Sequence, residues 1–107
     1  MINYDDFKKV EMRMGTIESA ERVPDTDKLI KFSVNFGDEV RQILSGIAET
    51  YPEPEALVGK QFPFITNLEP RTIRGLESQG MILACGTEEG IALLEPNRPV
   101  PPGAALS

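Results

Sequence analysis

Residues 67–81, with the sequence NLEPRTIRGLESQGM, hold the densest group of potential ligand-binding side chains. The candidates are two arginines, two amides and one hydroxyl: Arg71, Arg74, Asn67, Gln79 and Ser78. A guanidinium matches phosphate geometry and stacks on a base, and an amide fits the donors and acceptors of a base edge. The adjacent Gly75 lets the backbone approach a ligand closely. These residue types in one loop predict contact with a polyanion that also presents bases.

A competing interpretation of the same loop needs no ligand, and composition alone favours it. Glu69 and Glu77 are near enough in sequence to balance Arg71 and Arg74 on a solvated surface, where ion pairs contribute little. The chain is acidic, with 17 Asp+Glu against 11 Lys+Arg and a net charge of −6. Binding of a polyanion depends on local rather than total charge, and the acidic remainder disfavours non-specific binding. Four more cations lie on segments that a small barrel can bring to one side: Arg13, Lys28, Lys31 and Arg41.

The chain contains no histidine and one cysteine, which limits the chemistry it can perform. Catalytic triads with histidine and imidazole metal sites are excluded, as are an internal disulfide and a cysteine zinc cluster. Asp25 and Asp27 form the nearest approach to an acid/base pair, but two acids in a proline-containing turn are typical turn residues. We therefore expect no enzyme activity, cofactor or metal. Cys85, among apolar neighbours, is predicted to be a buried, inert thiol.

The length of 107 residues predicts one domain over 1–107. Its apolar runs are too short for a membrane helix, and the first eleven residues lack the pattern of a secretory signal. We therefore expect a cytoplasmic protein that does not contact a membrane.

Residues 1–10 predict a short helix that Asn3 caps, with Ile2 and Phe7 spaced as a hydrophobic staple. Residues 11–23 read as a long strand in which Gly15 indicates a bulge, a bend or a close backbone approach. Residues 29–36 alternate apolar and polar side chains, as a half-buried strand does. Gly37 and Asp38 then predict a hairpin turn into a third strand over residues 39–47.

The second half begins with a short helix or a helical turn in residues 48–60, for which Pro54 fits the first helical position. A fourth strand follows at 61–68, where Pro63 predicts an edge or irregular place. Residues 80–86 and 90–96 give two more short strands, and 96–107 form an extended C-terminal arm. Phe32, Phe36, Phe62 and Phe64 are assigned to the core, which leaves Tyr51 as the one aromatic candidate for base stacking.

Short strands with one helix between the third and fourth predict an all-β OB-fold, a five-stranded Greek-key barrel. Four blocks carry a resemblance to a known family: DDFKKVEMRMGTIESAERVPDTDKL, RQILSGIA, NLEPRTIRGLESQGMILA and PPGA. Together they resemble the tRNA-binding domain of bacterial methionyl-tRNA synthetases, which also exists as a separate beta subunit and as stand-alone tRNA-binding proteins. The resemblance covers residues 3–106 and implies an OB-fold with a short N-terminal helix and a C-terminal extension. It also implies a homodimer with these two additions at its interface.

Residue chemistry and the resemblance together predict one RNA-binding set: Arg13, Lys28, Lys31, Arg41, Ser45, Asn67, Arg71, Arg74, Ser78 and Gln79. Glu69 departs from the family pattern, in which a basic residue is usual at this position. The implied function is structure-dependent binding of tRNA, in trans or as an appended domain or beta subunit that raises the tRNA affinity of methionyl-tRNA synthetase. The catalytic chain of that enzyme is therefore an implied partner.

One alternative from another functional class stays open. A related dimeric OB-fold group consists of export-associated chaperones that bind peptides, and such a protein needs an exposed apolar groove. The blocks NLEPRTIRG and SQGM favour the tRNA-binding branch.

Overall fold

The computed structural model describes residues 1–107, which form one short helix, one 3₁₀ helix and nine strands. The helix α1 covers Tyr4–Lys8 and the 3₁₀ helix Pro54–Leu57. The strands in chain order are β1 (Met12–Arg22), β2 (Ile30–Asn35), β3 (Val40–Ser45), β4 (Gln61–Ile65), β5 (Arg71–Ile73), β6 (Leu76–Ser78), β7 (Met81–Ile82), β8 (Ala84–Thr87) and β9 (Gly90–Leu93). No helix is long and apolar enough to cross a membrane.

Five antiparallel strands form the main sheet, in the order β3-β2-β1-β4-β7. The long strand β1 pairs with β4 through its first half and with β2 through its second half. A register shift between Ile17 and Ser19 adds bend and twist where the partner strand changes. The sheet therefore curls so that its two outer strands approach each other.

Hydrogen bonds between β3 and the segment 78–80 nearly close the barrel. The backbone N–H of Gln79 donates to the carbonyl of Gln42 at 2.8 Å, and the N–H of Leu44 donates to Ser78 Oγ at 3.0 Å. These bonds satisfy part of the free edge of β3, which would otherwise present unpaired backbone groups. The predicted all-β OB-fold barrel is confirmed.

The barrel interior contains the four phenylalanines that the sequence assigned to the core, each at most 1% exposed: Phe32, Phe36, Phe62 and Phe64. The buried and half-buried residues of β2 alternate as predicted. Gly15 lies where a Cβ would come within 2.8 Å of Phe36 Cε1 and would also collide with Val34. Close approach of backbone to side chains is therefore the reason for this glycine.

The loop predicted at 67–81 contains the β5–β6 hairpin, which differs from the prediction. The short helix or helical turn predicted within 48–60 is a single 3₁₀ turn. Of the edge or irregular place predicted for Pro63, the edge is wrong, because β4 lies between β1 and β7. Its missing donor is tolerated because β7 pairs only with Phe64 and Ile65, while the Pro63 carbonyl still accepts the N–H of Leu83 at 3.0 Å.

The strand predicted over 80–86 is interrupted at Leu83 and continues as β8, which leaves the barrel and pairs only with β9. Cys85 lies on β8 and is exposed, so the prediction of a buried thiol is wrong. Apolar neighbours in sequence did not imply burial because the hairpin packs against the core through Ile91 and Leu93 of β9, while all four residues of β8 stay exposed.

Both chain ends are attached to β1 or its flanks. Asn3 caps α1 through its side-chain oxygen, which accepts the N–H of Asp6 at 2.8 Å, as predicted. The C-terminal segment runs along β1, where the N–H of Met14 donates to the carbonyl of Ala104 at 2.8 Å. Gly103 has a φ of 88° and contacts the Phe36 carbonyl so closely that no side chain fits there.

Candidate nucleic-acid interface

The β5–β6 hairpin turns through Arg74 and Gly75, whose φ angles are 52° and 79°. Two successive left-handed residues are typical of the tight hairpin turn that normally takes Asn-Gly or Gly-Gly. An arginine in this conformation is strained, since its Cβ meets the following carbonyl. Strain of this kind concentrates at functional sites, so the position of Arg74 directs attention to the hairpin tip.

Arg71 and Arg74 are both exposed on this hairpin. Neither forms an ion pair with Glu69 or Glu77. The cations that do form salt bridges are Lys9, Arg13, Lys28, Lys31, Arg41 and Lys60. The charge-balanced pairs of the competing interpretation are therefore not formed. Both guanidinium groups keep all their donors directed to solvent.

The hairpin is fixed to the barrel by the polar residues that follow it. Gln42 Nε2 donates to the carbonyl of Glu77 at 2.9 Å, and the Gln42 N–H donates to Gln79 Oε1 at 3.1 Å. Ser78 is 5% exposed, and its hydroxyl donates to the carbonyl of Gly80 while accepting the N–H of Leu44. The predicted ligand contacts Ser78 and Gln79 thus position the hairpin: Ser78 uses its hydroxyl within the fold, and Gln79 uses its side-chain oxygen, while Gln79 Nε2 has no partner in the chain.

An open cleft of about 380 Å³ separates the hairpin tip from the turn between β1 and β2. The hairpin contributes Ile73 and Arg74, and the turn contributes residues 26–29, including Lys28. Lys28 is 70% exposed and lies 3.7 Å from Glu49, a distance that leaves its ammonium free to reorient. Gly46, next to the predicted residue Ser45, completes the lining.

Arg13 and Arg41 do not face this cleft but converge on Glu39. Arg41 donates from Nε and Nη2 to the two carboxylate oxygens at 2.7 and 3.1 Å, and Arg13 Nη2 donates to Oε2 at 3.0 Å. Both guanidiniums also lie over the ring of Phe36, at 4.9 and 5.8 Å from its centroid. The hydrogen bonds from Arg41 and then Arg13 lower the pKa of Glu39 to about 2. Asp38 accepts a further hydrogen bond from Arg13. The positive charges of Arg13 and Arg41 are therefore neutralised within the fold by Glu39 and Asp38.

The polar side chains of Asn67 and Lys31 also have partners within the chain. Asn67 Oδ1 accepts the N–H of Glu11 at 2.8 Å, and its Nδ2 donates to the carbonyl of Lys9 at 2.6 Å, which ties the end of α1 to the chain after β4. Lys31 Nζ lies 2.8 Å from Glu21 on the neighbouring strand. The Tyr51 hydroxyl donates to the carbonyl of Ile91 at 3.1 Å, so this ring is held against the barrel and is not free for base stacking.

The predicted set thus divides into two groups. Arg71, Arg74 and Lys28 are exposed around the hairpin and cleft, with Ser45 beside Gly46, whereas the other six predicted residues form internal hydrogen bonds or ion pairs. Arg71, Arg74 and Arg98 are the only basic side chains with no ion pair, hydrogen bond or aromatic contact. Sequence reasoning missed Arg98 and the apolar cleft residue Ile73. Gly75 was the one usual turn residue that could have indicated the hairpin.

Comparisons with known proteins agree with this architecture. Residues 12–105 match the model of a family described as "Putative tRNA binding domain". A methionine--tRNA ligase of Methanospirillum hungatei is 52% identical over 105 residues, which make up 98% of this chain and 15% of that protein. The chain therefore spans a small part of the length of this relative.

Two solved structures superpose over the whole chain. A MetRS-related protein from Pyrococcus horikoshii has a TM-score of 0.93 and 42% identity, with 100% of this chain and 98% of that chain covered. The chaperone CsaA from Bacillus anthracis has a TM-score of 0.90 and 29% identity, with 100% of this chain and 99% of that chain covered.

Proposed function

The chain belongs to the tRNA-binding domain family, and from this premise we propose that it binds tRNA through the β5–β6 hairpin and the adjacent cleft. The observation that carries the proposal is the pairing state of the cations. Arg71 and Arg74 are free of carboxylates, while Arg13 and Arg41 are neutralised by Glu39 and Asp38. Guanidiniums without internal partners are the groups that can release counterions from a phosphate backbone.

The acidic character of the remaining surface supports selectivity for folded RNA. With a net charge of −6, most orientations of the protein repel a polyanion. Arg71 and Arg74 of the hairpin are among the few cations without an internal partner, so binding there should favour an RNA that presents phosphates and unstacked bases together. A loop or corner of tRNA has this shape, whereas a regular duplex hides its base edges.

We propose that this binding serves methionyl-tRNA synthetase, with the domain acting as an appended part, a beta subunit or a separate protein in trans, in the cytoplasm. Holding tRNA near a catalytic domain raises its effective concentration without any new catalytic contact. The chain has no histidine and no paired cysteine nucleophile, so its own role is binding rather than turnover.

We propose a homodimer assembled through α1 and its surroundings. The helix buries none of its residues, and Ile2, Phe7 and Val10 are exposed on it or beside it. Asn67 brings Leu68, which is 46% exposed, to the same end of the helix. Exposed apolar side chains near one helix would be stabilised by pairing with a second copy. Sedimentation of the chain at micromolar concentration should give a dimer, and a monomer would contradict the proposal.

The binding proposal is tested by titrating tRNA into the Arg71→Ala/Arg74→Ala double variant at two salt concentrations. Each charged hydrogen bond contributes about 1.5–3 kcal/mol, so the double variant should bind at least tenfold more weakly. The slope of log K against log salt should fall by somewhat less than one unit per lost phosphate contact.

The matched control for this titration is Arg98→Ala, because Arg98 is equally unpaired but lies in the segment that borders Lys60 and Glu95. It should leave the affinity and the salt slope nearly unchanged. Equal losses in the control and the double variant would show that total charge, rather than the hairpin, determines binding. Unchanged affinity in the double variant would remove the hairpin from the site.

A second candidate function is peptide binding of the chaperone type, supported by the likeness to CsaA and by the exposed apolar residues around α1. Competition separates the two functions. Bound tRNA should resist displacement by an excess of an apolar peptide and of duplex DNA if tRNA is the ligand. Displacement by the peptide at equal concentration would favour the chaperone function.

A further inference from the structure

We propose that the cleft between the hairpin tip and the β1–β2 turn is a subsite for one unstacked nucleotide, and that Asp27 selects guanine in it. This inference rests on the proposed function, since it names the part of the RNA that the same surface would recognise. The cleft has a volume of about 380 Å³, which lies in the range of roughly 300–1,000 Å³ that small-molecule sites occupy.

The lining separates into the parts that a nucleotide requires. Leu29 and Ile73 supply apolar side chains from the two walls, against which the face of a base can pack. Lys28 and Arg74 supply one cation from each wall for the flanking phosphates. Gly46 has no side chain to occupy the space between them.

Asp27 is the lining residue that phosphate binding does not explain. Its side chain forms no ion pair or hydrogen bond within the chain, and only its backbone carbonyl is used, by Arg22 at 3.4 Å. A free carboxylate beside a phosphate weakens binding by repulsion, so in an RNA site it needs donors to be favourable.

Base edges provide those donors. Carboxylates accept from the amino groups of bases, and unstacked bases expose their Watson–Crick edges in single-stranded regions. Guanine presents two adjacent donors on that edge, its N1–H and its 2-amino group, which match the two oxygens of a carboxylate. Adenine and cytosine present one amino group each, and uracil presents only its ring N–H. The geometry of the pair therefore ranks guanine first.

The test uses ¹⁵N amide spectra of the full chain, titrated separately with GMP, AMP, CMP and UMP. GMP should perturb the amides of Asp27, Lys28, Gly46 and Arg74. It should bind more tightly than UMP by roughly fivefold or more, because a good bidentate contact to a base discriminates by about 1–3 kcal/mol. The absence of any perturbation in the cleft at millimolar nucleotide, or equal affinity for all four, would overturn the proposal.

The Asp27→Asn variant should change the binding of GMP and of UMP in opposite directions. It removes a negative charge, so UMP should bind equally or more tightly, while GMP should lose its advantage because an amide has a single acceptor oxygen. If Asp27 only repels phosphate, the variant will bind all four nucleotides more tightly by the same factor, and the proposal fails. Asp25→Asn is the matched control, since it removes the same charge from the same turn outside the cleft lining. Asparagine also tolerates the φ of 63° at that position.

Titration with tRNA separates failure of this inference from failure of the proposed function. Perturbation of the hairpin amides by tRNA, without a guanine preference among the nucleotides, would overturn the subsite alone. A guanine preference without tRNA binding would keep the subsite and overturn the proposed function.

Discussion

Arg74→Gly should stabilise the fold or leave it unchanged while weakening tRNA binding, a combination that misfolding cannot produce. Arg74 has a φ of 52° and is exposed, without an internal partner. Its side chain therefore contributes strain to the free protein, and its proposed role is realised only when RNA is bound. Replacement by glycine removes both the strain and the guanidinium.

The two magnitudes follow from the conformation and the chemistry. A left-handed L-residue costs roughly 1–2 kcal/mol, and the greater freedom of glycine in the unfolded chain costs about 0.5–1 kcal/mol. The free energy of unfolding should therefore rise by roughly 0–1.5 kcal/mol. The lost charged hydrogen bond contributes about 1.5–3 kcal/mol, so tRNA affinity should fall by roughly tenfold or more.

Urea unfolding gives the first quantity, and titration of tRNA followed by fluorescence anisotropy gives the second. Arg71→Gly is the matched control, because Arg71 lies in the extended strand β5, where glycine weakens a strand. That control should lose both stability and affinity. A drop in the stability of Arg74→Gly similar to that of the control would refute the strain argument, and unchanged affinity would refute the role of Arg74 in binding.

Three further substitutions test the positions that hold the barrel and its ends. Gly15→Ala should lower the free energy of unfolding by about 1–3 kcal/mol in urea, because its Cβ would lie 2.8 Å from Phe36 Cε1; wild-type stability would contradict the packing. Glu39, whose pKa is lowered to about 2 from 4.5 mainly by Arg41, should contribute stability above pH 4.5 that is lost as the pH falls towards 2. Glu39→Gln should flatten the stability profile in that window, and an unchanged profile would count against the interaction. Asn67→Ala should cost about 1–3 kcal/mol in stability without altering the salt slope of tRNA binding; a smaller slope would return Asn67 to the RNA contacts.

The barrel was predictable because its signals are periodic and local. The alternation in β2 placed Phe32 and Val34 inside, and a glycine within the long strand β1 indicated the close approach that Gly15 makes. The hairpin over residues 71–78 escaped prediction since each of its strands has three residues, too few to establish a period. Its turn also contains an arginine where the usual rules require Asn, Asp or Gly.

Residue type alone did not reveal which of the predicted side chains are already hydrogen-bonded within the fold, for a reason that concerns distant backbone groups. Gln79 and Ser78 are suited to base edges and riboses, but the free edge of β3 leaves the N–H groups of Gln42 and Leu44 without strand partners, and these two side chains accept from them. The donors lie 37 and 34 residues away in sequence. Only the closure of the barrel reveals that they need acceptors, so the assignment of such side chains depends on the complete fold.

The acidity of the chain is consistent with polyanion binding because the carboxylates are distributed unequally among the cations. Arg13, Arg41, Lys31 and Lys60 each have an acidic partner within 3.4 Å and serve the fold itself. The hairpin cations Arg71 and Arg74 have none, so their charge remains available to a ligand within the screening length of about 10 Å. In the proposed mode of binding, an RNA would bring several phosphates within that distance of Arg71 and Arg74 while avoiding the carboxylates around them. The proposed selectivity for a folded RNA would then depend on the placement of carboxylates as much as on that of arginines, and replacing the surrounding acids should increase affinity for every RNA while reducing discrimination among them.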